Sequence, residues 1–271
     1  MTGPAMSIEL ASGVTLQYVE QGDPAGLPVL CLHGLSDSWY SFARVLPHLP
    51  RSLRVLVLTQ RGHGDASRPA RCYHTHDLAA DAAAFLAAQR IASAVIVGHS
   101  MGSSVAQRFA IDYPERTLAL VLVAAFHSPA GSTALKQLQE AVASLEEPVD
   151  PGFVHEFQAS TLAQAVPPAF FDTVVRESCK MPAWVWRELV DCHLRDEFSA
   201  ELAVIRAPTL LVWGDRDGVV PRRDQDALVA AIAGARLLVY EGVGHAVHWE
   251  QPERFAVDLT NFLQRRRLHR P

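Results

Sequence analysis

The sequence predicts an α/β protein whose core is a mostly parallel sheet. Short apolar runs alternate with segments of helical spacing, which is typical of a parallel sheet covered by helices on both faces. The runs at residues 94–97 and 118–123 are apolar throughout, as burial on two faces requires. The first two runs, around residues 8–10 and 15–19, alternate apolar with polar side chains and therefore predict an antiparallel edge.

Two helices of this fold are predicted from residue spacing. Residues 76–90 place mostly apolar side chains at helical intervals, among them Leu78 and Phe85. A last helix is expected to begin near Pro252, a residue suited to a first turn, and to bury Phe255 and its neighbours one and two turns on.

The strand and helix alternation is interrupted once. After the run at residues 118–123, residues 127–203 are helical in character and broken by prolines, and the strand pattern resumes only at Pro208. The sequence therefore predicts one core domain made of residues 1–126 and 204–271, with a helical insertion at residues 127–203.

Composition narrows the class of protein. The chain has 271 residues, 49% of them hydrophobic, which is enough for a sizeable core. Its formal net charge is −5, and the arginines at residues 265–267 fit the solvated end of a last helix, so nucleic acid is not an expected partner. No apolar stretch approaches about 18 residues and residues 1–6 lack a signal-peptide pattern, so we expect no membrane association and a cytoplasmic protein.

The four cysteines carry no recognisable motif. Cys31, Cys72, Cys179 and Cys192 are scattered without the spacing of a metal site or a disulfide framework, which fits a reducing compartment. Cys31 lies within a predicted buried strand, where we expect it to behave as a small hydrophobic residue.

The sequence G-H-S-M-G at residues 98–102 is the first motif that indicates chemistry. It follows an apolar strand and precedes a helix-like segment, so Ser100 is expected on a sharp strand-to-helix turn. The glycines allow backbone and neighbouring chain to approach closely, where a Cβ would clash. The context predicts a reactive serine.

A nucleophilic serine needs a base and a group that orients the base. Downstream, the strand at residues 210–213 runs into a loop with Asp215 and Asp217, and the strand at residues 237–240 runs into a loop with His245. Both loops contain glycine and follow a strand end. The three residue types therefore occur along the chain in the order serine, aspartate, histidine, each in a loop after a strand.

With these motifs the chain resembles the α/β-hydrolase family, of the type with a helical cap. Two further motifs support the likeness: L-H-G-L at residues 32–35 and R-G-H-G at residues 61–64, each after a strand. The resemblance covers about residues 8–265 and implies an eight-stranded, mostly parallel sheet flanked by helices, with the cap inserted after strand 6 and lying over the serine.

The resemblance also assigns roles to residues. Ser100 would be the nucleophile, His245 the general base, and Asp217, three positions after the glycine of the family's pattern, the acid. Asp215 is the alternative acid and is better explained as a turn residue that accepts local backbone hydrogen bonds. The oxyanion hole would be formed by the backbone N–H groups of Leu35 and Met101.

Several other conspicuous residues are expected to be structural. His33, His63 and His99 are explained as supports of neighbouring loops, with His33 positioning the oxyanion loop. Arg61 is expected to make structural contacts, although Thr59 replaces the aspartate that the family usually has two positions before this arginine. His248 lies three residues after the base without ligand-like partners, so no metal site and no cofactor are expected.

The expected substrate is a small neutral molecule. The insertion is rich in aromatic residues, most of which should form its own core, and a pocket lined by them would be apolar with few charges. The residues expected to line this pocket are Trp39, Phe126, Phe157, Trp184 and Trp186, together with Met101.

The leading hypothesis is hydrolysis of a small, largely apolar carboxylic ester, lactone or thioester through an acyl-enzyme on Ser100. A serine disfavours haloalkane dehalogenases and epoxide hydrolases, which resemble the chain but need a carboxylate at that position. Alternatives that use the same triad are a carbon–carbon bond hydrolase and a cofactor-free haloperoxidase or perhydrolase. From another class, a small-molecule receptor or signalling protein on the hydrolase fold also fits.

Overall fold

The computed structural model describes residues 4–71 and 73–265. Cys72, the first three residues and the arginines at positions 266 and 267 of the basic run lie outside the described residues. The strands are β1 (Met6–Glu9), β2 (Thr15–Gly22), β3 (Leu27–Leu32), β4 (Leu53–Thr59), β5 (Ala94–His99), β6 (Thr117–Val123), β7 (Thr209–Gly214) and β8 (Arg236–Tyr240).

The strands form one eight-stranded sheet in the order β1-β2-β4-β3-β5-β6-β7-β8. β1 pairs with β2, and β2 with β4, in antiparallel fashion, whereas every pair from β4 to β8 is parallel. The predicted fold class and the antiparallel edge are therefore confirmed. The carboxyl ends of β5, β7 and β8 meet at one edge of the sheet, which brings the loops after them together.

The helices of the sheet layer are α1 (Thr75–Ala88), α2 (Met101–Asp112), α7 (Arg222–Ala231), α8 (Val247–Glu250) and α9 (Pro252–Arg265). The predicted last helix is confirmed at its Pro252 start. The helix predicted at residues 76–90 ends at Ala88 instead, because Arg90 adopts a φ of 56°, outside the helical region.

Alternate residues of each central strand point to opposite faces of the sheet. Leu30 and Leu56 pack on the side of α1 and α2, and Val29 and Val55 pack on the side of α9. Both sets are at most 1% exposed, so the central strands are buried on two faces as their apolar sequences predict.

Between β6 and β7 the chain forms the inserted helices α3 (Thr133–Ala143), α4 (Pro151–Ala159), α5 (Pro168–Ser178) and α6 (Ala183–Arg195). Among them, α3 packs on α6 and α4 on α5. Their place in the chain matches the expected cap, while the division into a core and a cap domain stays a prediction. Within the described residues, every helix is too short or too polar to cross a bilayer.

Candidate active site

Ser100 occupies the turn between β5 and α2, in a strained backbone conformation. Its φ of 53° and ψ of −121° are rare for a residue that carries a Cβ. A Cβ on Gly98 would lie 2.2 Å from the carbonyl oxygen of Gly102, and one on Gly102 would lie 2.4 Å from that of Leu32. The turn can be this tight because both positions are glycine, and it presents Ser100 at the carboxyl edge of the sheet.

Asp217 and His245 meet beside this turn. The Nδ1 atom of His245 lies 2.9 Å from Oδ2 and 3.1 Å from Oδ1 of Asp217. Oδ1 also accepts hydrogen bonds from the backbone N–H groups of Val219 and Val220, at 2.8 and 2.9 Å. The carboxylate is thus held by its own loop, and we assign the imidazole proton to Nδ1, which leaves Nε2 able to accept a proton.

Asp215 lies apart from this pair. Its carboxylate accepts a hydrogen bond of 2.6 Å from the backbone N–H of Gly242, in the loop after β8. Asp215 therefore ties the two loops together, and Asp217 is the aspartate that contacts the imidazole.

The histidine loop is fastened to the segment that follows α4. The backbone N–H of His245 donates to the carbonyl of Thr161 at 2.9 Å. The buried carboxylate of Glu250 accepts from the backbone N–H groups of Gly244 and Ala163, at 3.1 and 3.0 Å. Burial raises the pKa of Glu250, and these N–H groups oppose the shift.

The loop after β3 carries the expected oxyanion donor. Leu35 and Met101 both line the cavity at Ser100, and the role of their backbone N–H groups as oxyanion donors stays a prediction. His33 braces this loop, because its Nδ1 donates to the carbonyl of Gly34 at 2.8 Å and its Nε2 accepts from the backbone N–H of Gln60 at 3.1 Å. These bonds fit the structural role expected for His33.

The catalytic cavity, by which we mean the cavity that contains Ser100, is small and mostly apolar. Its volume is about 50 Å³. The residues around it are Gly34, Leu35, Asp37, His99, Ser100, Met101, Phe126, Leu135, Leu138, Phe157, Gln158, Ser160, Thr161, His193, Val219, His245 and Trp249. None of these lining residues is a lysine or arginine.

Three of the six residues expected to form the pocket line this cavity, Met101, Phe126 and Phe157, and three do not. Trp186 is fully buried within the inserted helices, edge-on to Phe157. Trp184 packs edge-on against Tyr73, and Trp39 against the ring of its chain neighbour. The prediction was wrong for Trp39, Trp184 and Trp186 because large aromatic side chains gain more from packing on each other than from facing a small cavity.

A second, outer cavity lies on the other side of Val219, which lines both. The outer cavity has a volume of about 480 Å³ and lies between the start of the inserted helices and α7. Thr133 and Gln137 of α3 face the outer cavity, whereas Leu135 and Leu138 of the same helix face the catalytic cavity. The helix α3 and Val219 therefore form the wall between them.

Three further buried imidazoles lie in the cavity lining or next to it, and burial favours the neutral form of each. Burial lowers the pKa of His193 to about 4 and that of His248 to about 3. Burial and the neighbouring imidazoles hold the pKa of His99 well below its usual range. His99 Nε2 lies 3.2 Å from the carbonyl oxygen of His245, and His193 Nε2 lies 2.9 Å from the hydroxyl of Ser104.

Arg61 and Thr59 make structural contacts. Arg61 forms a buried, two-pronged ion pair with Asp81 of α1, at 2.6 and 2.7 Å. The hydroxyl of Thr59 accepts a hydrogen bond of 3.0 Å from the backbone N–H of Trp39. Thr59 thus still supports the loop after β3, although it lacks the carboxylate that the family usually has there.

Nothing in the described part of the chain indicates a metal site. Among residues 4–71 and 73–265, no three His, Cys, Asp or Glu side chains are grouped as metal ligands would be. His248 Nε2 instead lies 3.1 Å from the hydroxyl of Ser41. Cys31, Cys179 and Cys192 are free thiols, and burial raises the pKa of Cys31.

Comparison with known proteins identifies the family. The model of the Alpha/beta hydrolase family matches residues 29–259, which is most of the chain. The chain belongs to the α/β hydrolase family. It is therefore an enzyme of a hydrolase family, and its eight-stranded sheet is the fold of that family.

Proteins similar to this chain carry names that denote different activities. A 2-hydroxymuconate semialdehyde hydrolase from Pseudomonas sp. strain CF600 is 29% identical over 94% of this chain and 92% of its own. The structure is also similar to a bromoperoxidase from Bacillus anthracis, with a TM-score of 0.86, 21% identity and coverage of 96% of this chain and 100% of the other. An esterase from Exiguobacterium antarcticum has a TM-score of 0.83, 22% identity and the same coverage. At 21% and 22% identity, the bromoperoxidase and esterase structures show that the fold is shared.

Sequence reasoning missed several polar residues of this α/β hydrolase site. Asp37 and His193 line the catalytic cavity, and Glu250 fixes the histidine loop. Position could have indicated Asp37, which lies three residues after the glycine of the L-H-G-L motif. His193 and Glu250 carry no such signal, because neither lies within a motif.

Proposed function

We propose that the protein is a serine hydrolase that cleaves small, neutral carboxylic esters or lactones through an acyl-enzyme on Ser100. The observation that carries this proposal is the contact of 2.9 Å between His245 and Asp217, beside the strained turn that presents Ser100 in the same cavity. A serine hydroxyl is a weak nucleophile until an oriented base removes its proton, and this arrangement offers such a base.

In the first step the Ser100 oxygen attacks the ester carbonyl carbon while Nε2 of His245 accepts the hydroxyl proton. Asp217 keeps the other ring proton on Nδ1 and stabilises the imidazolium that forms. The N–H groups of Leu35 and Met101 donate to the oxyanion, and each such donor is typically worth about 3–4 kcal/mol. The tetrahedral intermediate then collapses, His245 passes its proton to the leaving alkoxide, and an alcohol departs.

In the second step water attacks the acyl-enzyme. His245 accepts one proton of the water as its oxygen bonds to the acyl carbon. When the second tetrahedral intermediate collapses, the carboxylic acid is released and His245 returns the proton to the Ser100 oxygen. Over the two steps one ester and one water are consumed, and one carboxylic acid and one alcohol are released.

The lining of the catalytic cavity favours a neutral substrate. The residues that line it include no lysine or arginine, and burial favours the neutral form of the His99 and His193 imidazoles. The carboxyl of Asp37 adds no attraction for an anion. A carboxylate on the substrate would therefore be desolvated without a partner, which is costly in an apolar cavity.

Carbon–carbon bond hydrolysis is the second candidate, and the relative from Pseudomonas favours it. The name of that relative's substrate, 2-hydroxymuconate semialdehyde, denotes a carboxylate. A cavity without a lining cation is a poor place for such a group, so we rank the neutral ester first. A bromoperoxidase-like activity would require peroxide to attack the same acyl-enzyme and is tested with the same nucleophile variant.

The triad is tested with Ser100→Ala and a matched control. Hydrolysis of p-nitrophenyl acetate should fall at least about a thousandfold in Ser100→Ala, because no acyl-enzyme can form. Ser144→Ala, a serine at the exposed end of α3, should behave as wild type. Wild-type turnover by Ser100→Ala would refute the proposal.

The substrate class is tested by comparing matched substrates. Methyl butanoate should be hydrolysed with a higher kcat/KM than monomethyl succinate, which has similar length and carries a carboxylate. A reversed preference, or turnover of 2-hydroxymuconate semialdehyde above that of every ester, would favour the carbon–carbon hydrolase. Binding of a ligand with no repeated turnover of any substrate would favour a receptor.

A further inference from the structure

Asp37 is a buried carboxylic acid in the catalytic cavity that the triad does not use. The residue lies on the loop after β3, two positions beyond Leu35, and is 3% exposed. A carboxyl group buried in an apolar cavity is costly unless its oxygens are paired. Ionisable groups with such environments are concentrated at functional sites.

Asp37 joins three separate parts of the site. Its own backbone N–H donates to the carbonyl of Gly34 at 3.3 Å, within the oxyanion loop. Its Oδ1 accepts a hydrogen bond of 3.0 Å from Nε2 of Gln158, on α4 of the inserted helices. Its Oδ2 accepts one of 3.0 Å from the hydroxyl of Ser41, which itself contacts His248 three residues after the catalytic base.

The Ser41 hydroxyl determines the direction of this chain of hydrogen bonds. Its oxygen accepts from the indole N–H of Trp249 at 2.9 Å, and its single proton is donated to Asp37. His248 Nε2, 3.1 Å away, must then be the donor to Ser41, so we assign the proton of His248 to Nε2. The other nitrogen of His248, Nδ1, is a buried lone pair without a partner.

Protonation of Asp37 would reverse or break part of this chain. A proton on Oδ1 would face the N–H of Gln158, donor against donor. A proton on Oδ2 would be donated to Ser41, whose own proton would then have to go to His248 Nε2. The proton of His248 would move to Nδ1, where it would be buried without an acceptor, which is unfavourable.

The groups around Asp37 shift its pKa in opposite directions. Burial raises the pKa of Asp37 to about 7, and the hydrogen bonds from Ser41 and Gln158 and the nearby His245 oppose the rise. Other ionisable groups that face it are His248, through Ser41, and both Tyr40 and Glu177, across a narrow cleft shared with Ser41. Within the catalytic cavity, His99 and His193 share the lining with it.

We propose that Asp37 is a positioning residue of the hydrolytic site, whose ionised carboxylate ties the oxyanion loop to the inserted helices and to the segment that carries His245. The proposal rests on the proposed function of Ser100. When Asp37 takes up a proton, either its bond to Gln158 is lost or its bond to Ser41 is reversed and leaves His248 without an acceptor. In both cases the donors of the oxyanion loop are held less firmly. Activity should therefore require the loss of two protons, one from the catalytic base and one from Asp37.

The test is the pH dependence of kcat/KM for p-nitrophenyl acetate between pH 5 and pH 9. In the wild type the acid side of the profile should be steeper than one ionisation allows. In Asp37→Asn it should follow a single ionisation, and kcat at pH 8 should fall about tenfold, as expected for one lost charge-assisted hydrogen bond. Asp226→Asn, an exposed carboxylate of α7, is the matched control and should keep the wild-type profile.

Ser41→Ala provides a second variant that keeps the carboxylate. It removes one donor to the ionised form, so Asp37 should hold its proton to higher pH and the steep part of the profile should move to higher pH. A profile that shows one ionisation in the wild type, or that is the same in Asp37→Asn, overturns the proposal. If Asp37→Asn does not fold, an unshifted profile in Ser41→Ala overturns it.

Failure of this proposal can be told apart from failure of the proposed function. Protonation of Asp37 can be measured without turnover by infrared spectroscopy. Ser100→Ala should show the band of a protonated carboxyl group, and the double variant Ser100→Ala/Asp37→Asn should lack it. Inactive Ser100→Ala together with an unchanged Asp37→Asn profile refutes the positioning role alone. Active Ser100→Ala refutes the hydrolase proposal, whatever the band does.

Discussion

Replacing Asp37 by asparagine should change how the stability of the fold depends on pH. Burial raises the pKa of Asp37 from the ordinary aspartate value of 3.8, which holds in the unfolded chain, to about 7 in the folded protein. Between these two values the folded chain holds a proton that the unfolded chain releases, so the free energy of unfolding falls as pH rises. The contribution is absent well below pH 3.8 and complete above about pH 7.

The size of the effect follows from the two pKa values. At about 1.4 kcal/mol per pKa unit, the stability lost through Asp37 is about 2 kcal/mol at pH 5 and about 4 kcal/mol at pH 8. Asparagine carries no titrating proton. Any change in hydrogen bonding that it causes therefore shifts the free energy of unfolding equally at pH 5 and pH 8. The stability of Asp37→Asn relative to wild type should thus improve by about 2–3 kcal/mol from pH 5 to pH 8.

Urea denaturation of both proteins at pH 5 and pH 8 measures this difference directly. Asp226→Asn serves as the control, since its carboxylate is exposed on α7 and should give nearly the same difference at both values. A stability gap between Asp37→Asn and wild type that stays constant with pH would refute the reasoning, because it would mean that Asp37 ionises alike in the folded and unfolded chain.

Two further predictions concern the cavity wall and the sheet layer. Val219→Ala should open the catalytic cavity toward the outer cavity and raise the ratio of kcat/KM for p-nitrophenyl octanoate to that for the acetate. Val219→Trp should lower this ratio. The same ratio in both variants would show that the wall does not limit acyl length. Asp81→Ala should destabilise the protein by about 3–5 kcal/mol in urea denaturation, because Arg61 would lose its buried carboxylate, and a loss no larger than that of Asp226→Ala would contradict this.

Much of the fold was predictable because its signals are local. The apolar run before Ser100 and the glycines around it each require a particular backbone, and the structure shows that backbone at β5 and at the turn. The choice of Asp217 over Asp215 came from the family's spacing, three positions after the glycine, and in the structure Asp217 is the aspartate that contacts His245.

The lining of the cavity was not predictable in the same way. Trp186 and Phe157 belong to the same aromatic-rich insertion, yet Phe157 faces the catalytic cavity and Trp186 packs behind it. Composition cannot distinguish the two, because the distinction depends on how α4 and α6 are rotated against the sheet. Leu135 and Leu138 of α3 were overlooked for the same reason.

The bonds between the segment after α4 and the histidine loop have a consequence for turnover. The carbonyl of Thr161 accepts the backbone N–H groups of His245 and of its successor, and Glu250 joins the two segments a second time. Movement of this segment away from the sheet would therefore also release the base from its place. A form of the protein in which this segment had moved away would therefore lack a positioned base, and a water molecule that entered it would not be activated for attack.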